Sequence, residues 1–184
     1  MITLVIGKQD SGKSALAEDI AISCGNVRFY LATMKIMDDD GRARVERHRK
    51  LREGKDFITL EREYDIRGAV PDIKDHCKDL PGGEKDAVIL LECAANLAGN
   101  ELYDNRDRSW CGKGTEVDPD DFAGTVMGDI RYLAETVKDL VIVTARYPLP
   151  DTADDMTGTY IRLLDKLNDE LMTYADRVID TDIT

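Results

Sequence analysis

Gly7-Lys8-Gln9-Asp10-Ser11-Gly12-Lys13-Ser14 follows directly on the apolar run Ile2-Thr3-Leu4-Val5-Ile6. The octet satisfies G-x-x-x-x-G-K-[ST] at every fixed position. Its glycines let backbone N–H groups wrap an anion. Lys13 can reach the β- and γ-phosphates of a nucleoside triphosphate, and Ser14 can ligate Mg²⁺. The run before the octet reads as a strand. Residues 13–24, carrying Ala15, Leu16, Ala17 and Ile20, read as a helix whose positive N-terminal end adds to the phosphate site. Strand, glycine loop and helix in that order are the context the motif requires. It is a strong signal for nucleotide binding, beside the plainer reading of a glycine turn with no ligand, and leaves the reaction open.

Outward from this loop, strand-length apolar runs alternate with helical patterns. Residues 27–32 read as a strand, roughly 40–52 as a charged helix, and 57–60 as a short strand. The stretch 64–80 is ambiguous because Pro71 interrupts its pattern. Ala87-Val88-Ile89-Leu90-Leu91 is the plainest buried strand; it runs into Glu92, with a helix expected just after. Residues 103–121 read as a loop, holding Gly112, Gly114 and Pro119, and the pattern assigns no place to its Trp110. A helix near 120–137, the strand Leu140–Val143, a turn with Pro148 and Pro150, a helix over 155–174 and a strand at 177–180 complete the chain. Repetition of this kind implies an α/β fold. The expectation is one P-loop NTPase-like, three-layer domain over residues 1–184, with a mostly parallel central sheet. Ligands of such sheets sit at the carboxyl ends of the strands. Here those are residues 7–14, 33–35, 61, 92 and 144–150.

Composition narrows the partners. Acids outnumber bases by 37 to 25, for a net charge of −12 over 184 residues. Such a surface repels nucleic-acid backbones at long range. No apolar run approaches the roughly 18 residues of a membrane span. Met1–Ile6 reaches Gly7 too soon for a signal peptide and has no basic leader. Cys24, Cys77, Cys93 and Cys111 form no C-x-x-C pair, and with two histidines no zinc pattern appears. Cys24 and Cys93 lie in apolar contexts and read as inert core thiols. A cytoplasmic location is the expectation.

Two further features bear on chemistry. A P-loop protein needs an acid at the end of a neighbouring strand for its metal site. Glu92 is the candidate, beside the plainer reading of a polar residue that ends a strand or caps a helix. Asp86 begins the same strand and so lies at the wrong end. Residues 42–55 hold seven bases and two acids, +5 in a chain of −12. At helical spacing Arg44, His48 and Arg52 share one stripe, while Val45 and Leu51 can face the core. Such a concentration of charge suits a triphosphate or a leaving pyrophosphate, and neighbouring cations favour a neutral imidazole. The alternative is a solvated helix face with an incidental histidine. His76, in an acidic stretch, is given no role.

Four features occur in order: the P-loop; Tyr30-Leu31-Ala32-Thr33 leading to Ile36-Met37-Asp38-Asp39; the Arg44-Val45-x-x-His48 helix; and the strand ending Leu90-Leu91-Glu92-Cys93. In this combination the chain resembles the bifunctional adenosylcobinamide kinase and adenosylcobinamide-phosphate guanylyltransferase family of cobalamin biosynthesis. The resemblance is good over about residues 1–61, fair around 86–100, and visible again at Leu167-Asn168 and Ala175-Asp176. It implies two reactions. A nucleoside triphosphate, ATP or GTP, phosphorylates the aminopropanol hydroxyl of the corrinoid adenosylcobinamide. An active-site histidine then attacks the α-phosphate of GTP, and the resulting GMP passes to the cobinamide phosphate. Carried over by motif, Gly7, Lys8, Gln9, Asp10, Ser11, Gly12, Lys13 and Ser14 would hold the triphosphate, and His48 would carry GMP. Thr33, Met34 and Lys35, with Arg49, Lys50, Leu51 and Arg52, would line the nucleotide site. Glu61 and Glu92 would complete it, with Ser14 and Glu92 at the Mg²⁺. The resemblance also implies a homotrimer. The chain departs from the family pattern at Thr144-Ala145-Arg146-Tyr147-Pro148-Leu149-Pro150, where members carry an Asn-Glu-Val-Gly stretch. Two other readings keep the phosphate loop: a kinase of another small molecule, and a non-catalytic GTP-binding module.

Overall fold

The computed structural model describes residues 1–36, 38–148 and 155–183, apart from the side chains of Asp40, Arg44 and Leu51. Its strands are β1 (Ile2–Ile6), β2 (Val27–Ala32), β3 (Phe57–Glu61), β4 (Ala87–Glu92), β5 (Asp139–Val143) and β6 (Arg177–Asp180). Its helices are α1 (Lys13–Cys24), α2 (Asp39–Leu51), α3 (Val70–Cys77), α4 (Ala94–Tyr103), α5 (Pro119–Thr136) and α6 (Asp155–Tyr174). The strands form one sheet in the order β3-β2-β4-β5-β1-β6, with every adjacent pair parallel. Parallel neighbours need long crossovers, and the helices supply them.

Side chains alternate across the sheet and so divide the core. Val5, Tyr30, Val88, Leu90, Val141 and Val143 pack on one face with Ala17 and Ala21 of α1. Two alanines one turn apart let α1 lie close against β4 and β5. Leu4, Ile6, Phe29, Leu31, Ile89, Leu91, Leu140 and Ile142 pack on the other face, beneath α3, α4, α5 and α6. The result is the three-layer α/β architecture expected of a P-loop NTPase-like fold.

Register brings the strand ends together. Ala32 lies opposite both Glu61 and Glu92, Glu92 opposite Val143, and Val143 opposite Val5. The carboxyl edge of the sheet thus gathers the glycine loop, Glu61 and Glu92 into one row.

Two stretches depart from the sequence reading. Pro71 does not break the chain between 64 and 80. It lies in the first turn of α3, directly after a short 3₁₀ turn at Ile66–Ala69. There the missing N–H costs nothing, because first-turn donors have no intrahelical partner. Trp110, in the loop between α4 and α5, is buried against Phe122 with its indole N–H donating to the Glu101 carbonyl at 3.0 Å. The loop around it is held by Arg108, which bridges the buried carboxylates Glu101 and Asp129. Among the cysteines, all four of them free, the fully buried one is Cys77. Among the described residues no helix is long and apolar enough to cross a membrane.

Candidate active site

The glycine loop turns on Gly12, whose φ of 82° is open to glycine at little cost. The turn aims the start of α1 across the carboxyl edge of the sheet. The loop is secured from the other end of the chain. The Lys8 N–H donates to the Asp182 carboxylate at 2.9 Å, and the Ser11 and Thr181 hydroxyls share a hydrogen bond of 2.7 Å. A Cβ on Gly7 would come within 2.1 Å of the Thr181 hydroxyl, so the close approach of the residue that follows β6 favours glycine there. Lys13 is largely buried, and its ammonium donates to the Lys8 carbonyl. The ammonium therefore lies along the loop that would receive a phosphate chain.

A cavity of about 420 Å³ opens above this edge, within the range of small-molecule and cofactor sites. Gln9 to Ser14 form its floor, Glu92 and Tyr30 one wall, and Val45, Arg47, His48 and Arg52 of the α2 side another. Asn96, Thr144 and Tyr147 complete the lining. Helix α2 starts where the Asp38 carboxylate caps it, accepting from the Gly41 N–H at 2.7 Å. At its far end the Arg52 guanidinium lies 3.5 Å from the centroid of the Tyr30 ring. This stacking sets the C-terminal turn of α2, with His48 in it, over the sheet. Among the described residues the helix presents both His48 and Arg52 to the cavity. Val45, expected to face the core, lines the cavity with them.

Glu92 is the electrostatic focus. One carboxylate oxygen accepts from the Ser14 hydroxyl at 2.9 Å, and the other is buried with no hydrogen-bond partner among the described residues. Burial pushes its pKa up to about 7, against the lowering pull of Ser14, Lys13 and Arg52. Burial and the neighbouring Glu92 charge push the adjacent Cys93 thiol up to about 12, so the thiol stays protonated and unreactive near neutrality. Its sulfur accepts from the Asn96 N–H and caps α4.

Of the residues singled out in the sequence, the cavity gathers Gln9, Asp10, Ser11, Gly12, Lys13, Ser14, Met34, His48, Arg52 and Glu92. Others stand apart from its lining. Gly7 and Lys8 lie at the base of the loop, held by Thr181 and Asp182 just after β6. The Thr33 hydroxyl is buried and bonded to the backbone of Cys93, donating to its carbonyl and accepting from its N–H. Lys35 pairs with Asp104 at 3.0 Å and faces a neighbouring cavity. Arg49 and Glu61 pair with each other on the exposed flank of α2, and Lys50 is exposed beside them. The Arg44 and Leu51 side chains lie outside the described residues. Tyr30, Arg47, Asn96, Thr144 and Tyr147 were not anticipated individually. Position after a strand was the available signal for Thr144 and Tyr147. Tyr30 lies within a strand, lines the cavity and carries Arg52 on its ring.

A glycine loop between strand and helix, a buried lysine, and an acid two strands away on the same edge define a P-loop nucleotide-binding protein. The chain belongs to the cobinamide kinase / cobinamide phosphate guanyltransferase family, whose model matches residues 3–181. Over 122 residues it is 33% identical to the bifunctional adenosylcobalamin biosynthesis protein CobU of Escherichia coli (strain K12). That stretch covers 66% of this chain and 57% of the relative, so the matched part spans little more than half of that protein.

Proposed function

We propose that this chain is a nucleotide-dependent kinase and guanylyltransferase that phosphorylates adenosylcobinamide and then transfers GMP to the product through His48. The observation that carries this reading is that His48 and the phosphate loop line one cavity. Family membership supports the substrate class.

In the kinase step the triphosphate, ATP or GTP, lies along residues 9–14. Backbone N–H groups and Lys13 hold the charge that develops on the leaving diphosphate. The acceptor hydroxyl oxygen bonds to the γ-phosphorus. The bond from that phosphorus to the bridging oxygen breaks, its electron pair leaves with the diphosphate, and the hydroxyl proton is released to water. In the transfer step the His48 ring nitrogen attacks the α-phosphorus of GTP, and pyrophosphate departs with the electron pair of the broken bond. Arg47 and Arg52 line the same cavity as His48 and offset the charge of that leaving group. An oxygen of the acceptor's phosphate then attacks the same phosphorus, the N–P bond breaks, and the imidazole is restored. Imidazole suits this exchange because it is both a nucleophile and a good leaving group.

The residues present fit Mg²⁺. Ser14 Oγ and a Glu92 oxygen are 2.9 Å apart, and the second Glu92 oxygen has no partner among the described residues. Mg²⁺ is commonly held by one or two protein oxygens with water and phosphate completing the shell. When bound it would offset charge on the phosphates. The proposed setting is cytoplasmic, as a homotrimer.

Incubation with GTP labelled at the α-phosphate, in the presence of Mg²⁺, tests this reading. Acid-labile label is expected on the wild-type protein and none on His48→Ala. Labelling of His48→Ala at the wild-type level would overturn the role of His48.

A further inference from the structure

A second cavity, of about 430 Å³, adjoins the first and shares Met34 and Asn96 with it. Its other walls are Tyr103 and Tyr160, Gly99 and Ala95, and the Lys35–Asp104 ion pair. Most of the polar groups facing it are already spent. Both hydrogen bonds of the Asn100 amide go to backbone carbonyls, those of Thr33 and Glu63. The Tyr160 hydroxyl donates to the Ala95 carbonyl and the Tyr103 hydroxyl to the Met156 carbonyl, each at 3.1 Å. Asn96 differs. Its backbone N–H caps onto Cys93, and its carboxamide has no hydrogen-bond partner among the described residues. It stands where the two cavities meet.

We infer that the second cavity seats the alcohol-bearing arm of the acceptor, and that the Asn96 carboxamide holds the reacting oxygen of that arm between the cavities. This rests on the function proposed above and adds a location and a residue to it. The geometry favours it on three counts. The acceptor must approach a phosphorus held in the first cavity, and the second cavity leads directly there. A cavity of this volume takes a short arm, leaving a macrocycle outside against the exposed Tyr103. A carboxamide offers both a donor and an acceptor, so one side chain can serve the neutral hydroxyl of the kinase step and the phosphate oxygens of the transfer step. Asn96 lies in the first turn of α4 (Ala94–Tyr103), whose positive end also favours the second, anionic acceptor.

Gly99 supplies a test that does not depend on removing a contact. A Cβ there would meet only Tyr160 Cε2, at 3.6 Å. Gly99→Leu therefore adds bulk to the second cavity, and leucine is the better helix former. Steady-state kinetics with adenosylcobinamide and GTP should show the acceptor KM raised about tenfold or more. The nucleotide KM and the kcat at saturating acceptor should stay within about twofold. Asn96→Ala should accept label from α-labelled GTP on His48, yet pass it to cobinamide phosphate about tenfold more slowly.

An unchanged acceptor KM in Gly99→Leu would overturn the assignment of the cavity. So would an equal rise in both Michaelis constants, because the two cavities would then not serve separate substrates. Unaltered transfer from labelled Asn96→Ala, or loss of the labelling itself, would overturn the role of Asn96. Failure of the wild-type chain to phosphorylate adenosylcobinamide would instead strike the proposed function, so the two failures are distinct.

Discussion

Glu92 and Glu101 are buried carboxylates nine residues apart along one segment, and their surroundings are opposites. Glu101 is 1% exposed and fully engaged. It accepts from the Asp65 N–H at 3.0 Å, the Asn105 amide at 2.9 Å and the Arg108 guanidinium at 2.6 Å. Glu92 has the Ser14 hydroxyl on one oxygen and no partner among the described residues on the other. A buried charge with both oxygens answered belongs to the architecture. One left half-answered costs stability and persists where a ligand completes it. Glu101 anchors the loop after α4, and Glu92 faces the phosphate loop.

Removal of the engaged acid should have the largest effect. Glu101→Ala leaves the Asp65 N–H and the Asn105 amide without their acceptor and the Arg108 cation with Asp129 alone, beneath a loop that carries the buried Trp110. Loss of one partner from a buried pair costs about 3–5 kcal/mol. Chemical denaturation should show a loss of about 4 kcal/mol, and nucleotide affinity measured on the fraction still folded should be little changed. A loss below about 1 kcal/mol would put Glu101 among ordinary surface pairs.

Glu92→Gln should do the reverse. Glutamine keeps an oxygen for the Ser14 hydroxyl and removes the charge. The native carboxyl, with its pKa raised to about 7, still holds a proton between about 4.5 and 7 that the unfolded chain has released. Wild-type stability from this group is therefore fully present below about 4.5 and falls as pH rises through 7. The raised pKa corresponds to about 3 kcal/mol. In metal-free buffer, Glu92→Gln should match the wild type near pH 4.5 and exceed it by up to that amount above pH 8. Parallel stability curves for the two proteins across this range would refute the burial cost assigned to Glu92. The same variant should lose kinase and transfer activity by about a hundredfold, the scale of removing one preorganised charge-stabilising group. Greater stability together with lower activity is the signature that separates Glu92 from Glu101.

The two acids also differ in how far the sequence shows them. Glu92 was legible because it ends an apolar strand, and strand ends in parallel sheets face the ligand edge. The phosphate loop was legible because its backbone geometry demands glycine and its chemistry demands Lys-Ser. Glu101 carried no such mark. Its partners come from residues 65, 105 and 108 and reach it only after α3, α4 and the following loop have packed. For the same reason Trp110 had no place in a sequence reading, although its burial anchors that loop. The α2 side was half legible. Charge density pointed to His48 and Arg52, but nothing in the helix pattern separates them from Arg49, which turns outward to Glu61. Periodicity gives the stripe, and the neighbouring strand decides which members of the stripe meet the cavity.

The smallest expected effect concerns that neighbouring strand. Helix α2 is polar along most of its length, so contacts at its ends count for more than burial of an apolar face. Arg52 over Tyr30 is one such contact, and a planar guanidinium stacks on a ring where a lysine ammonium does not. A cation–π contact of this kind contributes about 1 kcal/mol, more when it is desolvated. Arg52→Lys keeps the charge and gives up the stacking. The rate of His48 labelling by GTP should fall about fivefold, with the nucleotide KM moving less, because the phosphate loop is secured independently through Asp182 and Thr181. Tyr30→Phe keeps the ring face and should label within about twofold of the wild type, whereas Tyr30→Leu should reproduce the loss seen in Arg52→Lys. If Tyr30→Phe and Tyr30→Leu label at equal rates, the ring is packing alone, and the placement of His48 must come from the Asp38 cap and the Arg49–Glu61 pair.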